Sequence, residues 1–262
     1  MHDGWELLID SVRLSERGKR MMKAMAAAAP DGTLVSEDYS GKRPNLMLYG
    51  PGSREHLPLV HRTRKRGGRV AMWDLGYWER RDGMRLAIDT LHPTAEQLAM
   101  APDSPGRREF ALREDADPAG PILLVGIGPK SIFAYGLQQL HQWERGQVSD
   151  LRRRFPGREI VYRPKSERVP PLAGVGIRQG MPIEDALRGC SLVVCRHSNV
   201  AVDACVAGVP VECEDGAAAA LYRGNPAPTR EQRAEFLRRL SWWEWSRFEA
   251  AAAWAWVQRV TG

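Results

Sequence analysis

The chain has 262 residues with 38 Lys and Arg against 32 Asp and Glu, a net charge of +6, with 43% hydrophobic and 27% charged residues. That is ordinary globular composition, with enough apolar material for one large domain or two modest ones. No run approaches 18 apolar residues, which excludes a membrane-spanning helix, and the opening Met-His-Asp-Gly-Trp-Glu has no apolar signal-peptide core, so the expected location is the cytoplasm and no membrane partner is expected.

In chain order, the spacing predicts a helix over 14–29 that ends at Pro30-Asp31-Gly32. A strand over 45–49, the turn Gly50-Pro51-Gly52-Ser53, a helix to about Arg66 and a strand over 69–73 make one strand–turn–helix–strand unit of a parallel sheet. A strand over 84–88 leads through Asp89 and His92 to Pro93, which opens a helix to Met100. Residues 101–121 are rich in Pro, Asp, Arg and Gly and read as a linker, with the junction near 117–120. Beyond it, strands over 121–125, 159–163, 191–195 and 209–211 alternate with helices reaching about Arg154 (interrupted at Gly146), over 183–188 and over 199–207. The expected fold is therefore α/β: two Rossmann-like parallel-sheet domains, residues 1–118 and 119–228, facing a cleft. Residues 229–262 read as one C-terminal helix packing across both. Phe236, Leu240, Trp243, Trp254 and Val257 fall on one stripe and Trp242, Trp245 and Trp256 on the other, so both faces need cover, or the tryptophans stack on nucleic-acid bases.

Cys190, Cys195, Cys205 and Cys213 form no Cys-x-x-Cys pair and read as small core residues. Cys195 and His197 have no companions at zinc spacing, so no metal is expected.

Ligands of open parallel sheets bind at the carboxyl ends of strands. The richest such end is Cys195-Arg196-His197-Ser198-Asn199-Val200-Ala201-Val202-Asp203, continuing to Gly208-Val209-Pro210-Val211. Ser198 or Asn199 can cap the helix and leave first-turn amides facing an anion, while Asp203 sits one turn along, within reach of ribose hydroxyls; a plain capped helix explains the same residues. A second end, Gly126-Ile127-Gly128-Pro129-Lys130-Ser131, offers close backbone approach at Gly128, with Lys130 and Ser131 for a phosphate. It is neither a dinucleotide fingerprint nor a Walker loop, which argues against NAD and ATP hydrolysis. Arg163-Pro164-Lys165 supplies two further cations, which a surface ion pair would also explain.

The segment 195–211 resembles the donor-binding half of GT-B glycosyltransferases, with its Ser/Asn-rich turn, helix with an acidic residue and Gly-x-Pro-x return. The resemblance extends over about 120–216. It implies that His197, Ser198 and Asn199 face the donor diphosphate and that Asp203, where the family commonly has Glu, binds the ribose. It also implies that the loop after the first strand faces the leaving diphosphate. The donor would be a nucleotide sugar, of uridine-diphosphate type, with no other cofactor.

The N-terminal half is then expected to hold the acceptor. Asp74 follows a strand and is the first candidate for the general base, His92 the second; a turn-capping Asp and a structural His are the plainer readings. Tyr77 and Trp78 can stack on a ring. The run His61 to Arg69 is strongly basic: Arg62, Arg64, Lys65, Arg66 and Arg69 suit either a solvated helix end or a phosphate track. Compact two-domain phage enzymes that glycosylate modified DNA bases make double-stranded DNA the preferred acceptor. The alternatives are a polysaccharide or lipid precursor, a nucleotide-sugar epimerase and a non-catalytic nucleic-acid binder. Single displacement would invert the anomeric centre, and the cations could replace a divalent metal.

Overall fold

A computed structural model describes residues 4–9, 15–51, 53–128, 132 and 136–262. Along the chain it places β1 (Trp5–Leu8), α1 (Glu16–Ala27), β2 (Leu34–Ser36), β3 (Asn45–Tyr49), α2 (His56–Lys65), β4 (Val70–Leu75), β5 (Gly83–Ile88) and α3 (Ala95–Ala99). There follow β6 (Ile122–Val125), α4 (Gln142–Arg154), β7 (Ile160–Arg163), β8 (Gly176–Ile177), α5 (Ile183–Leu187), β9 (Leu192–Cys195), α6 (Val200–Ala207), β10 (Val211–Cys213) and α7 (Ala219–Tyr222). The chain ends with α8 (Arg230–Leu240), β11 (Glu244–Ser246) and α9 (Ala250–Thr261).

Two compact units result: Met1–Arg107 with Arg239–Gly262, and Arg108–Arg238. The division precedes the sequence-based junction at 117–120. Backbone bonding explains the difference: Arg113, Asp115 and Asp117 donate their amides to Val206, Ala207 and Cys190, so the Pro- and Asp-rich stretch is already part of the second unit.

The first unit holds a six-stranded sheet in the order β11-β5-β4-β3-β1-β2. β2, β1, β3 and β4 run parallel. β1 and β2 escape a pattern reading because β1 buries all four of its residues, including a carboxylate. Glu6 is fully buried; its oxygens accept from Ser36 Oγ (2.9 Å), Ser40 N (2.6 Å), Ser40 Oγ (3.1 Å) and Gly41 N (3.0 Å). Such multiple bonding is what a buried charge requires. α1 covers the sheet with Met21, Met22 and Met25, all fully buried.

β5 departs from the expectation of an all-parallel domain: it runs antiparallel to β4, with Ala71 opposite Ile88 and Leu75 opposite Met84. The link between them is short, and a parallel return would need a crossover of a dozen or more residues. Strand direction leaves no mark on hydrophobic pattern, so only the link length could have revealed it.

The expected single helix over 229–262 is two helices separated by β11, which pairs antiparallel with β5. A short 3-10 turn over Ser241–Trp243 ends the first helix, and the bulky Trp245 favours extended backbone in β11. Ser246 and Glu249 then form a reciprocal capping box that starts a new helical segment. α8 belongs to the second unit as far as Arg238, and β11 and α9 belong to the first. Trp243, Trp245, Trp254 and Trp256 are buried core residues, Trp242 is half-buried against Trp245 and Trp256, and Trp254 Nε1 donates to Met25 O at 2.8 Å. The four buried rings are not available to stack on bases.

The second unit carries a fully parallel sheet, β10-β9-β6-β7-β8. α4 packs Trp143, Val148 and Leu151 onto Ile122, Leu124, Tyr162 and Val194. Gly146 sits inside α4 without interrupting it.

Candidate functional site

Because every strand of the second unit points the same way, all its carboxyl-end turns gather at one edge of the sheet. Contacts between these turns are close. A Cβ on Gly126 would stand 2.3 Å from Tyr162 Oη, and one on Gly128 would stand 3.2 Å from Lys165 Cγ. The glycines after β6 therefore let the chain lie against the turn after β7, with the Lys165 stem on Gly128. On the other side, Asp215 N donates to Arg196 O at 2.7 Å, and Gly216, at φ +91°, lies against the His197 backbone.

Arg196, His197, Ser198 and Asn199 are half-buried at this edge. Ser198 is the capping residue: its Oγ accepts from Val200 N (3.3 Å) and its carbonyl from Ala201 N (3.1 Å). Asn199 already has helical angles and its side chain makes no capping bond. Asp203 is half-buried in the first turn of α6. The structure thus brings Gly128, Lys165, His197, Ser198, Asn199 and Asp203 to the same sheet edge. Lys130 and Ser131 lie outside the described residues. Arg163 is directed elsewhere: its guanidinium donates to Arg178 O (3.4 Å) and Met181 O (2.9 Å), holding the segment after β8.

Several groups at this edge carried no sequence signal. Glu144, in the first turn of α4, is fully buried and accepts from Ile127 N at 2.9 Å, anchoring the glycine turn. His141 adopts the left-handed conformation (φ 61°) and packs edge-on to Tyr162, ring centroids 5.6 Å apart. Burial, reinforced by Glu144, pushes the Tyr162 hydroxyl well up. Glu214 receives Trp143 Nε1 and pairs with Arg196 at 3.5 Å. Cys195 and Cys213 face each other across β9 and β10. Burial raises both thiols, Cys213 to about 12, so neither is an ionised nucleophile near neutrality.

In the first unit, Asp74 is next to last in β4, its side chain 36% exposed. Arg85 of β5, nearly buried, reaches it through Nη2 at 2.9 Å and bonds Leu75 O through Nη1 at 3.3 Å. This fixes the carboxylate in orientation. Tyr49, at the end of β3, stands close by: burial first, then the Asp74 carboxylate, raises its hydroxyl, while a hydrogen bond with Ser15 and the charges of Arg17 and Arg85 oppose the rise. Ser15 caps α1 by accepting from Gly18 N at 3.2 Å.

Three acceptor-side expectations need correction. Tyr77 is 1% exposed, with Trp78 half-buried against it (centroids 5.6 Å), so Tyr77 cannot stack on an incoming ring. Glu244 explains why: its carboxylate accepts from the amides of Tyr77 (2.5 Å), Trp78 (3.2 Å) and Glu79 (3.0 Å), binding this turn down. His92 is buried and follows the antiparallel β5, which ends at the edge opposite Asp74. The same applies to the basic run. Arg62, Arg64, Lys65, Arg66 and Arg69 are all exposed, but α2 delivers them to the amino-terminal edge of the sheet, where Arg69 pairs with Asp89 at 2.7 Å. Asp74 shares an edge with neither His92 nor these cations.

No protein-family model matches this chain, and no curated protein matches it. Solved structures do. Thermosulfurimonas dismutans KpsC, beta Kdo 2,7 transferase, aligns over 99% of this chain and 99% of its own, with a TM-score of 0.56 and 15% identity. Thermosulfurimonas dismutans KpsC, beta Kdo 2,4 transferase, aligns over 93% and 92%, with a TM-score of 0.53 and 12% identity. The chain has a glycosyltransferase-type fold. At these identities the likeness is one of architecture, and the chemistry must be argued from the residues.

Proposed function

We propose that this protein transfers a sugar from a nucleotide-sugar donor to a hydroxyl of a saccharide acceptor. The observation that carries the proposal is the second unit's sheet edge, where a glycine turn, Lys165 and the Ser198-capped start of α6 converge in a fold shared with two sugar transferases. In this reading the amides around Ser198 and Asn199, with Lys165, hold the donor phosphate, and Asp203 holds the ribose. Uridine diphosphate is the first nucleotide to test, and Kdo, named for both similar structures, is the first sugar.

Asp74 serves as the general base, oriented by Arg85. It takes the acceptor hydroxyl proton as that oxygen bonds the anomeric carbon; the bond from that carbon to the phosphate oxygen breaks, and its electron pair leaves with the nucleotide. Direct displacement inverts the anomeric centre. Lys165 and the helix amides offset the charge developing on the leaving phosphate, and no divalent ion is required. A double-stranded DNA acceptor loses its support because the basic run lies at the wrong edge, Tyr77 is buried and four of the C-terminal tryptophans are core.

Thermal unfolding measured with nucleotides and nucleotide sugars tests the donor half. A ligand at a hundred times its Kd should add about 2.7 kcal/mol, and Lys165→Ala should reduce that shift. Asp74→Asn should keep the shift and lose about 10²–10⁴ in transfer rate. If no nucleotide raises the melting temperature, the proposal fails; if Asp74→Asn turns over normally, another group is the base.

A further inference from the structure

Among the described residues one large aromatic side chain is left in water: Phe248 is 73% exposed, in the first unit between β11 and α9. A single exposed apolar residue needs no explanation by itself. What sets Phe248 apart is how firmly its turn is held. Ser246 and Glu249 close the reciprocal capping box around it, and Arg107 pairs with Glu249 while its guanidinium lies 3.4 Å from the centre of the Trp245 ring. Arg247 Nε donates to Asp82 Oδ1 at 3.0 Å, and the same guanidinium lies over the Phe248 ring, 4.0 Å from its centre. The ring thus rests one face on a tethered cation, and its exposure leaves the other face to solvent.

Strand register locates this ring. β11 runs antiparallel to β5, and therefore in the same sense as β4, and Ser246 lies opposite Gly83, the first residue of β5. Phe248 follows β11 at the carboxyl-terminal edge of β4, the edge that carries Asp74. Asp74, Arg85 and Glu244 are register partners across β4, β5 and β11, two strand spacings or about 10 Å from first to last. The turn over 77–79, which joins β4 to β5 and is bound by Glu244, fixes the backbone of that interval. No single sugar ring covers it, so a ring stacked on Phe248 is not the one whose hydroxyl Asp74 would deprotonate. The pair suits a saccharide: the electron-rich aromatic face attracts the C–H face of a sugar, and the guanidinium beside it can donate to hydroxyls.

We propose that Phe248, backed by Arg247, is the stacking platform for a second or later ring of the acceptor saccharide, and that it sets a preference for oligosaccharide over monosaccharide acceptors. The inference rests on the saccharide acceptor of the sugar-transfer reading and adds the residue that selects its length.

Calorimetric titration of the full chain, without donor, tests the proposal; the probes are the methyl glycoside of Kdo, the sugar already chosen for the transfer test, and a Kdo trisaccharide. The trisaccharide should bind about tenfold more tightly, and Phe248→Ala should remove that advantage while leaving the affinity for the monosaccharide as in the parent. Phe248→Trp should retain it. The melting temperature of Phe248→Ala should match the parent, because so exposed a ring supports little of the fold. In transfer assays Phe248→Ala should raise KM for the trisaccharide and leave kcat and the nucleotide-induced thermal shift unchanged. Equal affinity for the two lengths, binding of neither, or an undiminished preference in Phe248→Ala would overturn the proposal. So would a change of oligomeric state in Phe248→Ala, seen by sedimentation, which would assign the ring to a protein contact. Trisaccharide binding that depends on Phe248, with no nucleotide raising the melting temperature, would keep this inference and sink the transfer reading.

Discussion

Glu244 shows how much one buried carboxylate organises. It enters from β11, far along the chain from the turn it binds, and saturates three consecutive amides immediately after the strand that carries Asp74. Glu244→Ala would leave those donors without an acceptor. Of the three bonds only that from Tyr77 is fully buried, and at about 1–3 kcal/mol for an unsatisfied buried amide the loss should be about 1–3 kcal/mol. Glu244→Gln, which retains one accepting oxygen, should lose less; urea denaturation measures both. Neither Glu244 nor Arg85 could be singled out in the sequence, because each looks like an ordinary solvated charge until tertiary pairing removes it from water. Asp74 stood out as a candidate because a carboxylate at the end of an apolar strand is conspicuous, and the structure places it at the carboxyl end of β4. His92 was selected by the same rule and misplaced, since the rule assumes a parallel strand.

At the scale of elements, the second unit was the more readable. Its short apolar runs alternate with glycine and proline punctuation, and the predicted strands over 121–125, 159–163 and 191–195 match β6, β7 and β9 to within a residue at each boundary. Gly126 illustrates why glycine is needed there. A methyl group on it would fall 2.3 Å from the hydroxyl of Tyr162, which is fully buried. Gly126→Ala should therefore cost about 1–3 kcal/mol of overpacking. Adding Tyr162→Phe deletes the nearest atom in conflict but leaves Cε2 and Cζ at 2.8 and 2.9 Å, so it should recover part of the loss, as a double-mutant cycle by chemical denaturation would measure. If the two effects simply add, the steric account is wrong. The C-terminal segment was the least readable, because helical periodicity in a tryptophan-rich stretch masks a break. The Ser246–Glu249 capping box was the available signal.

For the molecule as a whole, the distribution of tryptophan makes the two units spectroscopically distinct. Of nine tryptophans only Trp143 lies in the second unit, and its indole N–H reaches Glu214 at the proposed donor edge. Nucleotide binding should change emission through Trp143, and Trp143→Phe should abolish the change while the intrinsic signal of the first unit persists. A response that survives in the variant would mean that the ligand acts on the first unit. The existence of two α/β units could be read from the sequence, because alternation of this length permits little else. Which charges served which edge could not, since that depends on strand direction.

β4 adds a consequence of its own. Its six residues begin just after Arg69 and carry Asp74 near their other end. At about 3.3 Å per residue the strand measures roughly 17 Å from the cationic rim to the proposed base. The strand thus acts as a ruler. A group bound at the cationic rim is too far from Asp74 to exchange a proton with it, so occupants of the two edges should not compete.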